Sequence, residues 1–514
     1  MKRILWIALF AALIVGAIGC NTIDQRKTDD QLFAPLETPG LHMQGGTEKK
    51  GEATMLDLTL ENGVHVVVKE NGKMELSGAD VTSDTFQDAG DRRLTKELET
   101  VRTVSFGEGV SVIEKVFEGN TSLQVIEIGE SVKTIGEDAF SGCSALKEIR
   151  FKGEQNLQVI EAYAFEDCTS LKTIQFDAVQ TLGKNAFYNC TGLKRVSIGS
   201  FLIPEKTGEN VFKGCSNITD VTILSNVPAG LFADLGNVST VSLGEGVTAI
   251  GDKAFAGCSG LESITLPNIL TIVGENAFAD CTSLKTVIFG KELTTIGNGA
   301  FSKCTSLESV AFGENVKEIG ESAFSGCAKL ERVTFPANLS RIKASAFAEC
   351  ETLKTVVIPG DVTEIGAEAF ISCKALNELT IENNVFLIVG EKAFASCGNL
   401  ESVRIQITNP GTIDFQKKVF MDCTGLREID FQEGVTSLGE SVLEGCEILQ
   451  TVTLPKSLKS IGKYAFNNCE LSRLNYRGNN NQWKEMMKGE NQRDWCEARN
   501  IPNTTSVIKI NYKG

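Results

Sequence analysis

Histidine is nearly absent from this chain: His42 and His65 are the only two in 514 residues. That scarcity argues against nucleophile–histidine catalysis, because an activated Ser or Cys needs a base beside it. There are 16 cysteines, yet no two lie two to four residues apart, which excludes the usual structural zinc motifs. Positive charge is in deficit. Fifty Lys and Arg stand against 66 Asp and Glu, a formal net charge of −16. Nucleic acid is therefore a poor main partner, since phosphate binding needs clustered cations. The plainer meaning of the acidity is solubility for a long, exposed protein. Beyond residue 20 no apolar run is long enough to span a bilayer. The glycines punctuate repeats instead of forming a phosphate loop, and no pair of carboxylates stands out as an acid/base couple. The sequence therefore predicts a non-enzymatic chain with no catalytic residues, no cofactor and no metal.

Residues 1–20 have a basic start at Lys2 and Arg3, an apolar stretch from Ile4 to Val15, and small residues before Cys20. This pattern predicts a secretory signal peptide. Its ending, AIGC, resembles a bacterial lipobox, in which Cys20 would be lipidated and become the mature N-terminus. Ala17 stands where Leu is common, and a soluble secreted protein is the alternative. Residues 21–52 are polar and aperiodic, expected to be a flexible tether. Residues 53–100 begin with three alternating apolar/polar runs split by Asn62-Gly63 and Asn71-Gly72, a hairpin signal. A small β cap is expected there, covering the otherwise exposed end of a repeat array, with a short helix near Arg93–Leu98.

The array itself occupies residues 101–474. From Leu261 the chain says LESITLPNILTIVGENAFADC, then nearly says it again, and the cysteines at 281, 304, 327, 350 and 373 are 23 residues apart. One register runs through all of it. A Phe precedes each Cys by three residues, with Asn120 and Leu235 in place of Cys and Leu443 in place of Phe. A period of this size means stacked units that share one core. Within each unit, Leu284, Val287 and Phe289, or Leu353, Val356 and Ile358, alternate inward as a strand requires. About seventeen such strands at roughly 4.8 Å each predict a sheet on the order of 80 Å long. The chain then returns through Ile-Gly-x-x-Ala-Phe, where Gly is expected to permit a tight bend and Phe to fill the interior. Longer units carry extra residues at Pro204–Gly208 and at Asn409-Pro410-Gly411, expected to be edge loops.

The wording IGxxAFxxCxxLxxVxLP resembles the BspA-like subfamily of bacterial surface leucine-rich repeat proteins. The resemblance implies an α/β-type repeat solenoid, mostly β: a right-handed, curved array with a concave parallel sheet and short irregular or helical convex segments. It also implies a cell-surface setting and adhesion to host or neighbouring cells. Residues 475–514 are expected to cap the far end. Leu474 to Gly478 followed by Gln482-Trp483 resembles the YxGTxxQW closing segment of these proteins. Trp483, Met486 and Met487 would line one helix face, and Val507 to Tyr512 would form a last strand.

Two features remain open at this level. The exported setting would permit disulfides, but one cysteine per turn in one slot points to a ladder of buried thiols. Cys496, outside the ladder, is a packing residue or a free thiol. The outward centre of each strand runs without charge through Ser197, Thr222, Ser242, Thr265, Ile288, Ala311, Thr334, Val357 and Thr380. Sheet chemistry alone favours such residues, because like charges would stack about 5 Å apart. The functional alternative is a face for protein or glycan ligands, from host matrix or neighbouring cells, with contact to the membrane only through the N-terminal lipid. A bacterial outer-membrane lipoprotein that binds macromolecules is the expected function; a structural spacer of the envelope is the alternative.

Overall fold

The protein is described from a computed structural model, which defines residues 53–86, 92–408, 411–486 and 510–512. Cys20, the tether, His42, Met487 and Cys496 lie outside the described residues.

The apolar spacing of the repeat produces a parallel solenoid with few helices. Each unit contributes one strand of three to six residues to a front sheet, such as Ser263–Thr265, Thr286–Ile288 and Thr355–Ile358. Partners stay in register: Thr265 faces Ile288, Ala311 faces Thr334, and Val357 faces Thr380. The inward set is as the alternation requires, with Leu353, Val356 and Ile358 almost fully buried. One expectation fails. The front sheet is not continuous but falls into four hydrogen-bonded segments. Two of the three breaks follow units with inserted residues, the 25-residue unit ending at Cys168 and the 26-residue unit ending at Cys423. Unit length alone does not set the breaks, because the 25-residue unit ending at Cys215, with its extra residues at Pro204–Gly208, keeps Arg195–Ile198 paired with Asp220–Ile223. The third break follows the strand Thr240–Leu243, in a unit of ordinary length; nothing in the structure explains it.

The return side is more regular than expected. Just before the Gly position lies a second strand of two to four residues: Ala249–Ile250, Ile272–Val273, Thr295–Ile296 and their successors form a ten-stranded parallel ladder. The glycine after it does not make an unusual bend. A Cβ on Gly297 or Gly320 would lie 2.6 Å from backbone of the preceding turn, so the residue is small because two turns touch there.

The third side of each turn carries the Ala-Phe-x-x-Cys run, and its hydrogen bonds alternate in destination. Asn276, Phe278 and Asp280 donate their N–H groups to the next turn's Asn298, Ala300 and Ser302; Ala277, Ala279 and Cys281 donate back to residues three earlier. That alternation needs left-handed backbone at two positions per turn, including Asn276 and Asp280 (φ 52° and 58°) and Gly257 and Gly326 (both φ 73°). The residue before Cys is accordingly often Gly, Asn or Asp, the types that adopt this conformation most readily.

The ends differ from the middle. Thr54–Thr59 and His65–Lys69 form an antiparallel pair, and Lys73–Ser77 joins them. The last of these also pairs in parallel with Thr103–Phe106, the first strand of the array. A helix at Arg92–Thr100 precedes that strand. At the far end Trp483, on the helix Asn480–Met486, is buried and meets Tyr476 edge-on at 5.2 Å. Ile510–Tyr512 adds a parallel strand beside Arg473–Tyr476.

Candidate functional site

The residues that look most chemical in the sequence are interior. Fourteen phenylalanines from Phe117 to Phe420 form one column, with successive ring centroids 5.0–5.8 Å apart and planes within 19°. Offset stacking at this separation is favourable beyond the area buried. Leu443 interrupts the column. In the middle turns a second aromatic set meets it edge-on: Phe289 against Phe301, Phe312 against Phe324, and Phe335 against Phe347.

The fourteen ladder cysteines are all buried and unpaired in disulfides. Each thiol donates to the carbonyl of the Phe one turn earlier: Cys281 to Phe255 at 3.3 Å, Cys304 to Phe278 at 3.2 Å, and so along the column to Cys469, whose acceptor is Leu443 at 3.1 Å. The Phe255 carbonyl also accepts the Cys258 N–H at 3.2 Å, so the thiol uses its second lone pair. Asn120 does the same work in the first turn, donating to the Leu98 carbonyl at 2.6 Å and accepting from the Ser122 and Leu123 N–H groups. Burial pushes the thiols of Cys143, Cys258, Cys327 and Cys397 up to about 12. These are protonated, unreactive groups. Among the described residues no set of three or more His, Cys, Asp or Glu converges as metal ligands. His65 lies on the N-terminal hairpin with its Nε2 3.2 Å from Asp57, far in sequence from the ladder.

The candidate face is the outward side of the front sheet. All nine predicted residues fall on it, in one column interrupted where the sheet breaks. Ile288 and Val357 are 56% and 50% exposed; Thr265, Ala311 and Thr334 are exposed, while Ser197, Thr222 and Thr380 are half-buried. The structure widens this column. Thr240, Ser263, Thr286 and Ser309, all exposed, run beside it two residues earlier on the same strands; two residues later the face closes, with Pro267 and Gly290 buried. Over four turns both exposed positions are uncharged. One residue outside this field, charges reappear as inter-turn pairs: Lys285 with Glu262 at 3.0 Å, and Lys354 with Glu331 at 2.8 Å. The flanking column is implied by the period-two alternation once the register is known, but one column read alone does not show it.

Comparison with curated proteins finds no match. Among solved structures, the chain is similar to a leucine-rich repeat protein from Bacteroides ovatus (22% identity, 88% of this chain and 98% of that one, TM-score 0.38). It is similar also to a leucine rich cell surface protein from Faecalibacterium prausnitzii (22%, 84% and 97%, TM-score 0.32) and to the pneumococcal vaccine antigen PcpA (17%, 89% and 99%, TM-score 0.30). The family described as BspA type leucine rich repeat region, six copies, matches residues 110–229, 225–354 and 340–473. With that match spanning most of the solenoid, the chain belongs to the BspA-type leucine-rich repeat family.

Proposed function

We propose that this leucine-rich repeat protein is a non-enzymatic binding protein of the bacterial surface, anchored through a lipid on Cys20, whose front sheet takes an extended protein or glycan partner. The observation that carries this reading is the two-column exposed, uncharged field from Thr240 to Ala311, with Ile288 at its centre and Val357 beyond it. A sheet needs no such breadth of neutrality for its own sake, because the same face elsewhere accommodates Arg404 and Arg150. Flat, rigid strands present their side chains with little mobility to lose on binding. The secretory start at residues 1–20 supports export, and no helix among the described residues is long and apolar enough to cross a membrane.

The test replaces Thr265 and Val357 by Glu together. They lie four turns apart, so the new charges do not face each other. Pull-downs from host matrix and from neighbouring bacteria should lose the partner with this variant while the melting curve stays in place. Equal recovery with the variant and the unchanged chain would discard the face as the binding surface, and an unchanged chain that enriches nothing would favour a spacer. Metabolic labelling with a radiolabelled fatty acid should mark the chain and not its Cys20→Ala variant.

A further inference from the structure

The front sheet is electrically uneven along its length. In the turns that hold Glu148–Lys152, Thr173–Phe176 and Arg195–Ile198, the outward positions at and just before the strand carry Lys147, Arg150, Lys172, Lys194 and Arg195. Glu148 is the one carboxylate at those positions, and Arg150 engages it at 2.6 Å. Lys147 is turned to the Gln124 side-chain oxygen at 3.2 Å. Lys172, Lys194 and Arg195 are exposed and have no carboxylate partner among the described residues. Lys172 and Lys194 occupy adjacent turns, joined by the Lys194 N–H to the Lys172 carbonyl at 2.9 Å. Asp177, just past the end of the strand that holds Gln175, accepts from the Gln175 amide at 3.4 Å, and Asp220, opposite Arg195, accepts the Thr219 hydroxyl at 2.6 Å.

Further along the array the same column is arranged in the opposite way. Where Lys172 and Lys194 stand side by side, the middle turns place Glu262 beside Lys285 and Glu331 beside Lys354, each pair in contact. Like charges on neighbouring strands are destabilising, so the repeat has a neutral solution and these turns do not use it. In a chain of net charge −16, a row of unpaired cations on consecutive turns is also the place where polyanions would collect.

We infer that this basic strip binds an acidic polysaccharide, one with sulfate or carboxylate groups along an extended chain, laid across consecutive turns. The proposal rests on the front sheet being a binding face but uses other turns than the uncharged field. The positions between the cations are hydrogen-bonding and small: Thr173, Gln175 and Ser197. They suit sugar hydroxyls. They offer no aromatic or large apolar anchor of the kind that dominates protein–protein contacts. Nucleic acid fits the cations but not the strip, whose outward strand positions hold no aromatic side chain for bases; the exposed Phe201 lies past the end of the strand.

The test measures binding of heparin, as a sulfated polysaccharide probe, to the full chain by calorimetry at several salt concentrations. Neutral dextran and a DNA duplex of similar length serve as the other probes. Heparin should bind with an affinity that falls steeply with salt. The triple variant Lys172→Gln, Lys194→Gln, Arg195→Gln should weaken it at least tenfold and lower the salt slope by about 2–3. Replacing Lys285 and Lys354 by Gln, which removes paired cations, should leave it within twofold. Heparin binding should also survive Thr265→Glu with Val357→Glu, so that this proposal and the uncharged field fail separately. The inference is overturned if heparin does not bind at physiological salt, if the triple variant binds as the unchanged chain does, or if DNA or dextran binds as well as heparin.

Discussion

The interior wall and the front face of the same turns obey different rules. The wall repeats almost without change: Phe over Phe at 5.0–5.8 Å, thiol to carbonyl at 3.0–3.4 Å, turn after turn. The front face keeps its backbone register yet changes its side chains from basic to neutral, with paired and unpaired charges in different places. A position enclosed by identical neighbours above and below has one good solution, and every unit adopts it. An outward position is constrained only by its two lateral neighbours. Variation there is cheap for the fold, and it is where partner information can be written.

Alkali should separate wall from face most widely, because it opposes burial of the wall's thiols while on the face it only discharges exposed lysine pairs that contribute little to stability. A buried thiol with a raised value holds its proton more tightly in the folded chain than in the unfolded one. Stability is then unaffected below the ordinary value of 9.0 and falls as pH rises towards about 12, because the unfolded chain ionises first. With many such groups in one column, circular dichroism should show the array unfolding well before pH 12, and the stability gap between the unchanged chain and the single variant Cys258→Ala should shrink as pH rises above 9. A gap that does not change with pH would separate the thiols from the stability of the wall.

Phe301→Ala comes next. Phe301 is fully buried between Phe278 and Phe324, each 5.3 Å away. Its truncation should cost about 3–5 kcal/mol, read as a shift of the urea midpoint. A cost below about 1 kcal/mol would mean that the column relaxes around a gap. Cys304→Ala removes one donor to the Phe278 carbonyl, which keeps a backbone partner at 3.4 Å. The expected cost is about 1–2 kcal/mol by the same measurement. At the small end, Thr265→Glu or Ser309→Lys should shift stability by no more than about 0.5 kcal/mol; a larger loss would show that the face is as constrained as the wall.

Particular residues show what the sequence makes legible. The inward Leu-x-x-Val-x-Leu set and the Phe and Cys slots are visible because burial demands the same residue types at a fixed period, and the N-terminal hairpins because Asn-Gly has few other uses. The return ladder is not visible. Thr295–Ile296 and Ile272–Val273 are two residues long, too short for any alternation to register. The role of Gly297 is likewise invisible, since close approach of two backbones is a relation between turns, not a property of one. The left-handed positions at Asn276 and Asp280 did leave a trace in the Gly, Asn and Asp that precede so many cysteines. The nine residues of the central column are found by strand alternation, but the neutral field around them, and the cations at Lys172, Lys194 and Arg195, depend on which residues the register lays side by side.

The most direct test of the division between wall and face is alkylation of the full chain without reductant, mapped by mass spectrometry, in native buffer and again in denaturant. The fourteen ladder cysteines from Cys143 to Cys469 should stay unmodified in the folded chain and all be labelled once it unfolds. Ladder cysteines that react in the native state, or that remain unlabelled in denaturant because they are oxidised to disulfides, would contradict that division.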